Sequence, residues 1–123
     1  MSDSKRTLIL GATPNPQRYA YLAAERLVRH GNPIVPVGIK QGSLQGVPIR
    51  HGQPEDLGQI DTVTLYVGAA KQAPYYSWLL RSSPKRIIFN PGTENAELRR
   101  LAEEAGIETV YGCTLVMLAS GQY

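Results

Sequence analysis

Cysteine is almost missing from this chain: a single residue, Cys113, in 123. A lone thiol excludes an intrachain disulfide framework and any cysteine-rich zinc site. Long apolar runs are missing too. No stretch approaches the roughly 18 to 20 uninterrupted apolar residues of a membrane span, and the first ten residues hold Asp3 and only a short apolar run. A soluble cytoplasmic protein with no membrane partner is the expectation. There is no internal repeat, linker or low-complexity segment, no ring-stacking motif of the single-strand RNA readers, and no helix-turn-helix pattern ending in a basic recognition helix. The net charge of +3 reflects 13 basic against 10 acidic residues, with the basic ones scattered from Lys5 to Arg100. Scattered cations serve solubility better than they serve a nucleic-acid surface, so nucleic acid is a disfavoured partner.

The length fits one domain over residues 1–123, with enough surface buried for one core but not two. Arg6 to Gly11 is a short apolar run closed by glycine, as in a strand buried on both faces of a parallel sheet. From Gln17 to His30 the apolar positions Ala20, Ala23, Ala24, Leu27 and Val28 recur with helical spacing, and Gly31 stops the helix. Pro33 to Gly38 reads as a second strand, which Pro36 places toward the rim of the sheet. Residues 39–60 predict a minimal strand at Val47–Ile49 and one helical turn begun by Pro54, Glu55 and Asp56.

Asp61 to Val67 is the third main strand, Pro74 starts a helix carrying Tyr75, Trp78 and Leu79 on one face, and Lys85 to Phe89 is the fourth strand. Thr93 or Asn95 caps the next helix, whose stripe is Leu98, Leu101, Ala102 and Ala105 and whose stop is Gly106. Ile107 to Val110 is the fifth strand, and Cys113 to Ala119 a closing helix. Regular alternation of strand and helix specifies a three-layer α/β domain with a mainly parallel sheet of about five strands.

In such a sheet ligands bind beyond the carboxyl ends of the strands, where crossovers diverge. The loop after Gly11 is the foremost candidate, because a small-residue turn feeding a helix leaves backbone N–H groups and a positive dipole end facing the cleft. Gly11, Ala12, Thr13 and Asn15 could cradle a phosphate there. The G-x-G-x-x-G fingerprint is absent, since Thr13 and Pro16 take the places of its second and third glycines. Where an NAD enzyme offers an acid to the ribose after its second strand, this chain has Ile39 and Lys40. A cation there favours a nucleotide with an extra ribose phosphate, as in NADP or coenzyme A.

With Gly11-Ala-Thr-Pro-Asn-Pro16, Gly46-Val-Pro-Ile49, Asn90-Pro-Gly-Thr-Glu-Asn95 and Cys113-Thr-Leu-Val-Met-Leu118, the chain resembles the small stand-alone CoA-binding proteins. It is similar to the nucleotide-binding domain of the succinyl-CoA synthetase alpha subunit, over about Lys5 to Tyr123. The resemblance implies a Rossmann-like domain that holds coenzyme A or an acyl-CoA along the carboxyl edge of its sheet. By that likeness Gly11, Ala12 and Thr13 approach the phosphates and Lys40 the adenosine end. Val67, Gly68 and Ala69 match the loop along which the cofactor lies, and Asn90, Pro91 and Gly92 match the pantetheine side. For Pro91 and Gly92 a purely structural turn is an equal reading.

The chain departs from the synthetase in lacking the second domain that supplies its phosphorylated histidine. It also departs at Tyr111-Gly112-Cys113, where only the cysteine carries over. His30 and His51 read as surface residues. Cys113, at a helix start, is either a thiol site near the cofactor sulfur or a small buried hydrophobe. No Ser and His pair, metal-ligand cluster or carboxylate pair stands in the strand-tip loops. The residues therefore favour a binding or sensing module without catalysis of its own. The alternative is an NADP- or acyl-CoA-handling subunit that needs a partner. Homodimerisation, covering an open sheet edge or helix face, suits a domain of this kind.

Overall fold

The structure, a computed structural model, describes residues 4–123. Along the chain run β1 (Thr7–Leu10), α1 (Tyr19–Arg29), β2 (Ile34–Val37), β3 (Ser43–Leu44), β4 (Val47–Pro48), β5 (Thr62–Leu65), α2 (Tyr76–Arg81), β6 (Arg86–Phe89), α3 (Ala96–Glu104), β7 (Glu108–Tyr111) and α4 (Thr114–Ala119). Five of the strands form one parallel sheet in the order β2-β1-β5-β6-β7. Every residue of β1, β2, β5 and β6 is buried, the signature of a sheet covered on both faces. This is a Rossmann-like three-layer α/β architecture.

The two helical layers meet different surfaces. On one face Leu8, Leu10, Val63, Leu65 and Ile87 pack with Trp78 and Leu79 of α2 and Leu98 and Ala102 of α3. On the other, Ile9 and Ile34 pack with Ala20, Ala24 and Leu27 of α1 and Leu118 of α4. The alanines of α1 let that helix approach the sheet closely, and completely buried Leu27 anchors it. Truncating such a leucine costs about 2 to 5 kcal/mol. Beneath α4 the sheet face is polar instead. Thr64 bonds Thr114 at 2.8 Å, Arg86 donates to Thr62 at 3.2 Å, and Thr7 bonds the Tyr123 hydroxyl.

Pro36 does lie in an edge strand. Its carbonyl accepts from Arg50 N–H at 3.0 Å, on the side away from β1, so the missing proline donor would have pointed outward as well. Four expectations are corrected. Val28 is 41% exposed and lies outside the apolar stripe of α1, and Ala105 is exposed at the C-cap of α3, outside the stripe of that helix. Residues 54–56 are not helical: Pro54 accepts from the Trp78 indole, Glu55 pairs with Arg81 and Asp56 with Arg50, so side chains tack an irregular segment to its surroundings. Pro74 sits in a 3-10 turn, Ala73–Tyr75, that precedes α2 rather than in its first turn. The expected strand at Val47 pairs antiparallel with Ser43–Leu44, an unforeseen partner, across a tight turn at Gln45 and Gly46. Of the two candidate caps for α3, Asn95 serves: its Oδ1 accepts from the amides of Glu97 (3.0 Å) and Leu98 (3.2 Å).

Candidate functional site

Because the five main strands are parallel, their carboxyl ends share one edge. β1 leads to α1 on one face of the sheet, whereas β5 leads to α2 on the other. The crevice where successive crossovers part therefore lies between the tips of β1 and β5.

The tips at this crevice are packed backbone against backbone. Gly11 has φ +96°, and a Cβ there would stand 2.9 Å from the carbonyl carbon and oxygen of Tyr66. A Cβ on Gly38 would stand 2.5 Å from the Ala12 carbonyl oxygen. Glycine at both positions lets the tips of β2, β1 and β5 lie side by side.

This closeness changes what the first loop offers. The amides of Gly11 and Ala12 both donate to the Val37 carbonyl, at 2.9 and 3.0 Å, so they continue the sheet and do not face outward as expected. The Thr13 hydroxyl accepts from Asn15 N–H, and Asn15 Oδ1 accepts from Gln17 N–H at 3.0 Å, so those side chains shape the loop. Three amides here have no acceptor among the described residues: Thr13 and the first two helical residues, Tyr19 and Ala20. Arg18, at the N-cap of α1, supplies no side-chain cap to them. An uncapped helix start with a cation on it carries the partial and full positive charge that favours an anion.

The cations sort themselves in the same direction. Arg26, Arg29, Arg50, Arg81, Lys85, Arg99 and Arg100 are all paired with carboxylates. Lys5, Arg6 and Arg86 donate to backbone oxygens. The side chains of Arg18, Lys40 and Lys71 have no partner among the described residues, and all three belong to the carboxyl edge, after β1, β2 and β5 respectively. Two of the large apolar side chains exposed on the molecule, Tyr19 (70%) and Ile39 (83%), stand next to two of these cations in sequence. Arg18 and Lys71 do not stand out in the sequence, and Tyr19 reads there as one of several aromatics better explained by packing, whereas it is exposed. Arg18 falls inside the helix expected from Gln17, whereas it is the N-cap of α1.

The remaining predicted residues are assembled along the same edge. Val67, Gly68 and Ala69 follow β5, with Val67 half-buried and Gly68 and Ala69 exposed. Their loop is tied to the next by Gln72, which is completely buried and which sequence did not reveal. Its amide nitrogen donates to the carbonyls of Val67 and Thr93, each at 2.8 Å, and its oxygen accepts from Asn95 at 2.9 Å.

Asn90, after β6, is 3% exposed, and its side chain is spent inside the protein. It donates to Thr64 Oγ1 (2.7 Å) and the Leu65 carbonyl (2.9 Å) and accepts from Thr114 N–H (2.9 Å). Pro91 and Gly92 are exposed, but Gly92 N–H donates to Glu94 at 3.0 Å. Cys113 is half-buried and immediately precedes α4. Near it, burial pushes the Tyr66 phenol up to about 12 even though Thr64 and Thr114 bond it, so it is a neutral hydroxyl at physiological pH.

His51 contacts the Lys40 carbonyl at 3.0 Å, and neither it nor His30 has a carboxylate partner among the described residues. No group of three or more His, Cys, Asp or Glu able to hold a metal occurs among the described residues, and no helix is long and apolar enough to cross a membrane. Two surface depressions lie elsewhere, one beside Arg99 and Tyr111 and one beside Arg6 and Asp61. Along the carboxyl edge Ile39, Lys40, Gly68, Ala69, Lys71, Pro91 and Gly92 are exposed.

Residues 5–119 match the CoA binding domain family. The chain belongs to that family. No curated protein matches it in sequence. Among solved structures, this family member is similar to an uncharacterized protein at 52% identity and TM-score 0.94, over 99% of this chain and 100% of that one. It also resembles in fold a Thermus thermophilus protein (20% identity, TM-score 0.85, 98% and 91% covered) and a hypothetical protein from Pyrococcus horikoshii OT3 (23%, 0.84, 98% and 84%).

Proposed function

We propose that this CoA binding domain holds coenzyme A or an acyl-CoA along the carboxyl edge of its sheet, as a non-catalytic module that senses the cofactor or presents it to a partner. The observation that carries this reading is the sorting of the cations: the three that neither pair with a carboxylate nor donate to a backbone oxygen all lie on one rim, beside an uncapped helix start. Arg18 and the amides of Thr13, Tyr19 and Ala20 receive the diphosphate. Lys40 faces the ribose 3′-phosphate, with Ile39 and Tyr19 as the apolar flank for the adenine, and Lys71 adds charge from the β5 side. Gly11 and Ala12 set the path of the loop, Val67 to Ala69 and Pro91 with Gly92 line the pantetheine side, and Asn90 holds the tips in place from beneath.

The likeness to the synthetase alpha subunit supports this direction of the cofactor. The surface positions of His30 and His51 support the non-catalytic reading.

Calorimetric titration of nucleotide-free protein with CoA, dephospho-CoA and NADP tests the proposal. Wild type should bind CoA in the micromolar range, and Arg18→Ala should weaken CoA and dephospho-CoA alike, by about tenfold. Lys40→Ala should weaken CoA but leave dephospho-CoA unchanged. Absence of CoA binding would overturn the reading, as would CoA binding indifferent to both substitutions. Preference for NADP over CoA would transfer the site to the dehydrogenase class of cofactor.

A further inference from the structure

We propose that β7 is the joint through which two copies of this chain pair about a two-fold axis, extending the sheet. The two edges of the sheet are finished differently. At β2 the segment around Arg50 covers the edge, with Arg50 N–H on Pro36 and Gly38 N–H on Arg50. At β7 nothing among the described residues lies beyond the strand. Glu108 N–H donates to Lys85 and Gly112 N–H to Phe89. By alternation the N–H and C=O groups of Thr109 and Tyr111 point outward. The strand carries neither proline nor lysine, the usual guards of an exposed edge.

These outward groups are complementary to themselves. In an antiparallel pairing centred on Val110, Thr109 of each copy lies opposite Tyr111 of the other, and each such pair exchanges two hydrogen bonds. Side chains fit the same symmetry. Arg99 donates to Thr109 at 3.2 Å and lies 4.3 Å from the Tyr111 ring centroid, so the middle of α3 is level with Val110. The shallow depression beside Tyr111, which is 41% exposed, is lined by Arg100 and Glu104 among others. A two-fold axis through Val110 sets the two α3 helices antiparallel on one face, with Arg100 of each opposite Glu104 of the other. Charge complementarity thus selects a second copy of this chain as the occupant. Because the strands run antiparallel across the joint, the two carboxyl rims face opposite ways and both stay open, so this pairing stands or falls independently of CoA binding.

Sedimentation equilibrium of the full chain is the test, with thermal melts to verify folding. Wild type should associate to a dimer at concentrations up to about 1 mM. Thr109→Pro removes an outward N–H that the fold does not use and should abolish the dimer. Arg100→Glu and Glu104→Arg should each weaken it by about tenfold, and mixing the two variants should restore a heterodimer, because acidic then faces basic across the joint. Restoration on mixing cannot come from repair of the pair within one helix. A monomer at every concentration, a dimer indifferent to Thr109→Pro, or a mixture that fails to associate would each overturn the proposal.

Discussion

Replacing Asn90 with alanine should destabilise the protein severely without touching its surface. The side chain is 3% exposed and makes three hydrogen bonds, to Thr64, the Leu65 carbonyl and the Thr114 amide. Each partner is itself buried or part of the backbone core. Stranding a buried donor or acceptor costs about 1 to 3 kcal/mol. Thr64 retains Thr114 as a partner, and the three losses share one small cavity, so the sum should fall near 3 to 5 kcal/mol, not at the full total. For a chain of this size that lowers Tm by about 12 to 19 °C. Trp78, the single tryptophan and 2% exposed, reports unfolding in urea. The midpoint should drop with an unchanged slope. Glu94→Ala, which removes only an exposed bond to Gly92, should stay within about 0.5 kcal/mol. A loss below about 1 kcal/mol for Asn90→Ala would show that the tips of β5 and β6 and the start of α4 are not held by this side chain.

Gly38→Ala should push the first loop away from β2, because the new Cβ would meet the Ala12 carbonyl at 2.5 Å; loss of about 1 to 3 kcal/mol in urea and weaker CoA binding are the expected readouts. Gln45→Asn should raise stability by a few tenths of a kcal/mol, since Gln45 and Gly46 both have positive φ, at 49° and 79°, in a two-residue hairpin turn that favours Asn-Gly. Stability should also fall at high pH. The folded Tyr66 phenol titrates at about 12 against an ordinary value of 10.0, so its contribution is intact below pH 10 and is lost as pH rises from there through 12. Tyr66→Phe should flatten that part of the urea midpoint profile, and an unchanged profile would assign the loss to other groups.

Much of the fold was legible because the strands of a covered parallel sheet are short apolar runs, and these stand out between glycine-rich tips. Arg6 to Gly11 and Lys85 to Phe89 are plain examples. The segment from Ile39 to Ile60 was less legible because its order is not periodic. It is pinned by single long-range bonds such as Trp78 to Pro54 and Gln53 to Pro74, which leave no local pattern. The candidate site divides the same way. The tip loops and Lys40 could be placed from topology, but the inward turn of the Gly11 and Ala12 amides depends on the Val37 carbonyl, 25 residues or more along the chain. Gln72 was invisible for the same reason: nothing near it in sequence says that it ties two loops. The isolation of Arg18, Lys40 and Lys71 is legible only once every other cation has been matched with its oxygen.

That matching also affects events before any ligand arrives. Cations paired with carboxylates contribute little potential at a distance, whereas Arg18, Lys40 and Lys71 give the rim a positive charge of its own. An anion diffusing near the rim is attracted to it, and the encounter is accelerated at low ionic strength and slowed as salt shortens the reach of the field to about 8 Å under physiological conditions. Folding is held chiefly by buried apolar contacts and hydrogen bonds and should respond little to the same salt. Capture rate and stability are thereby placed under separate control within a chain of 123 residues.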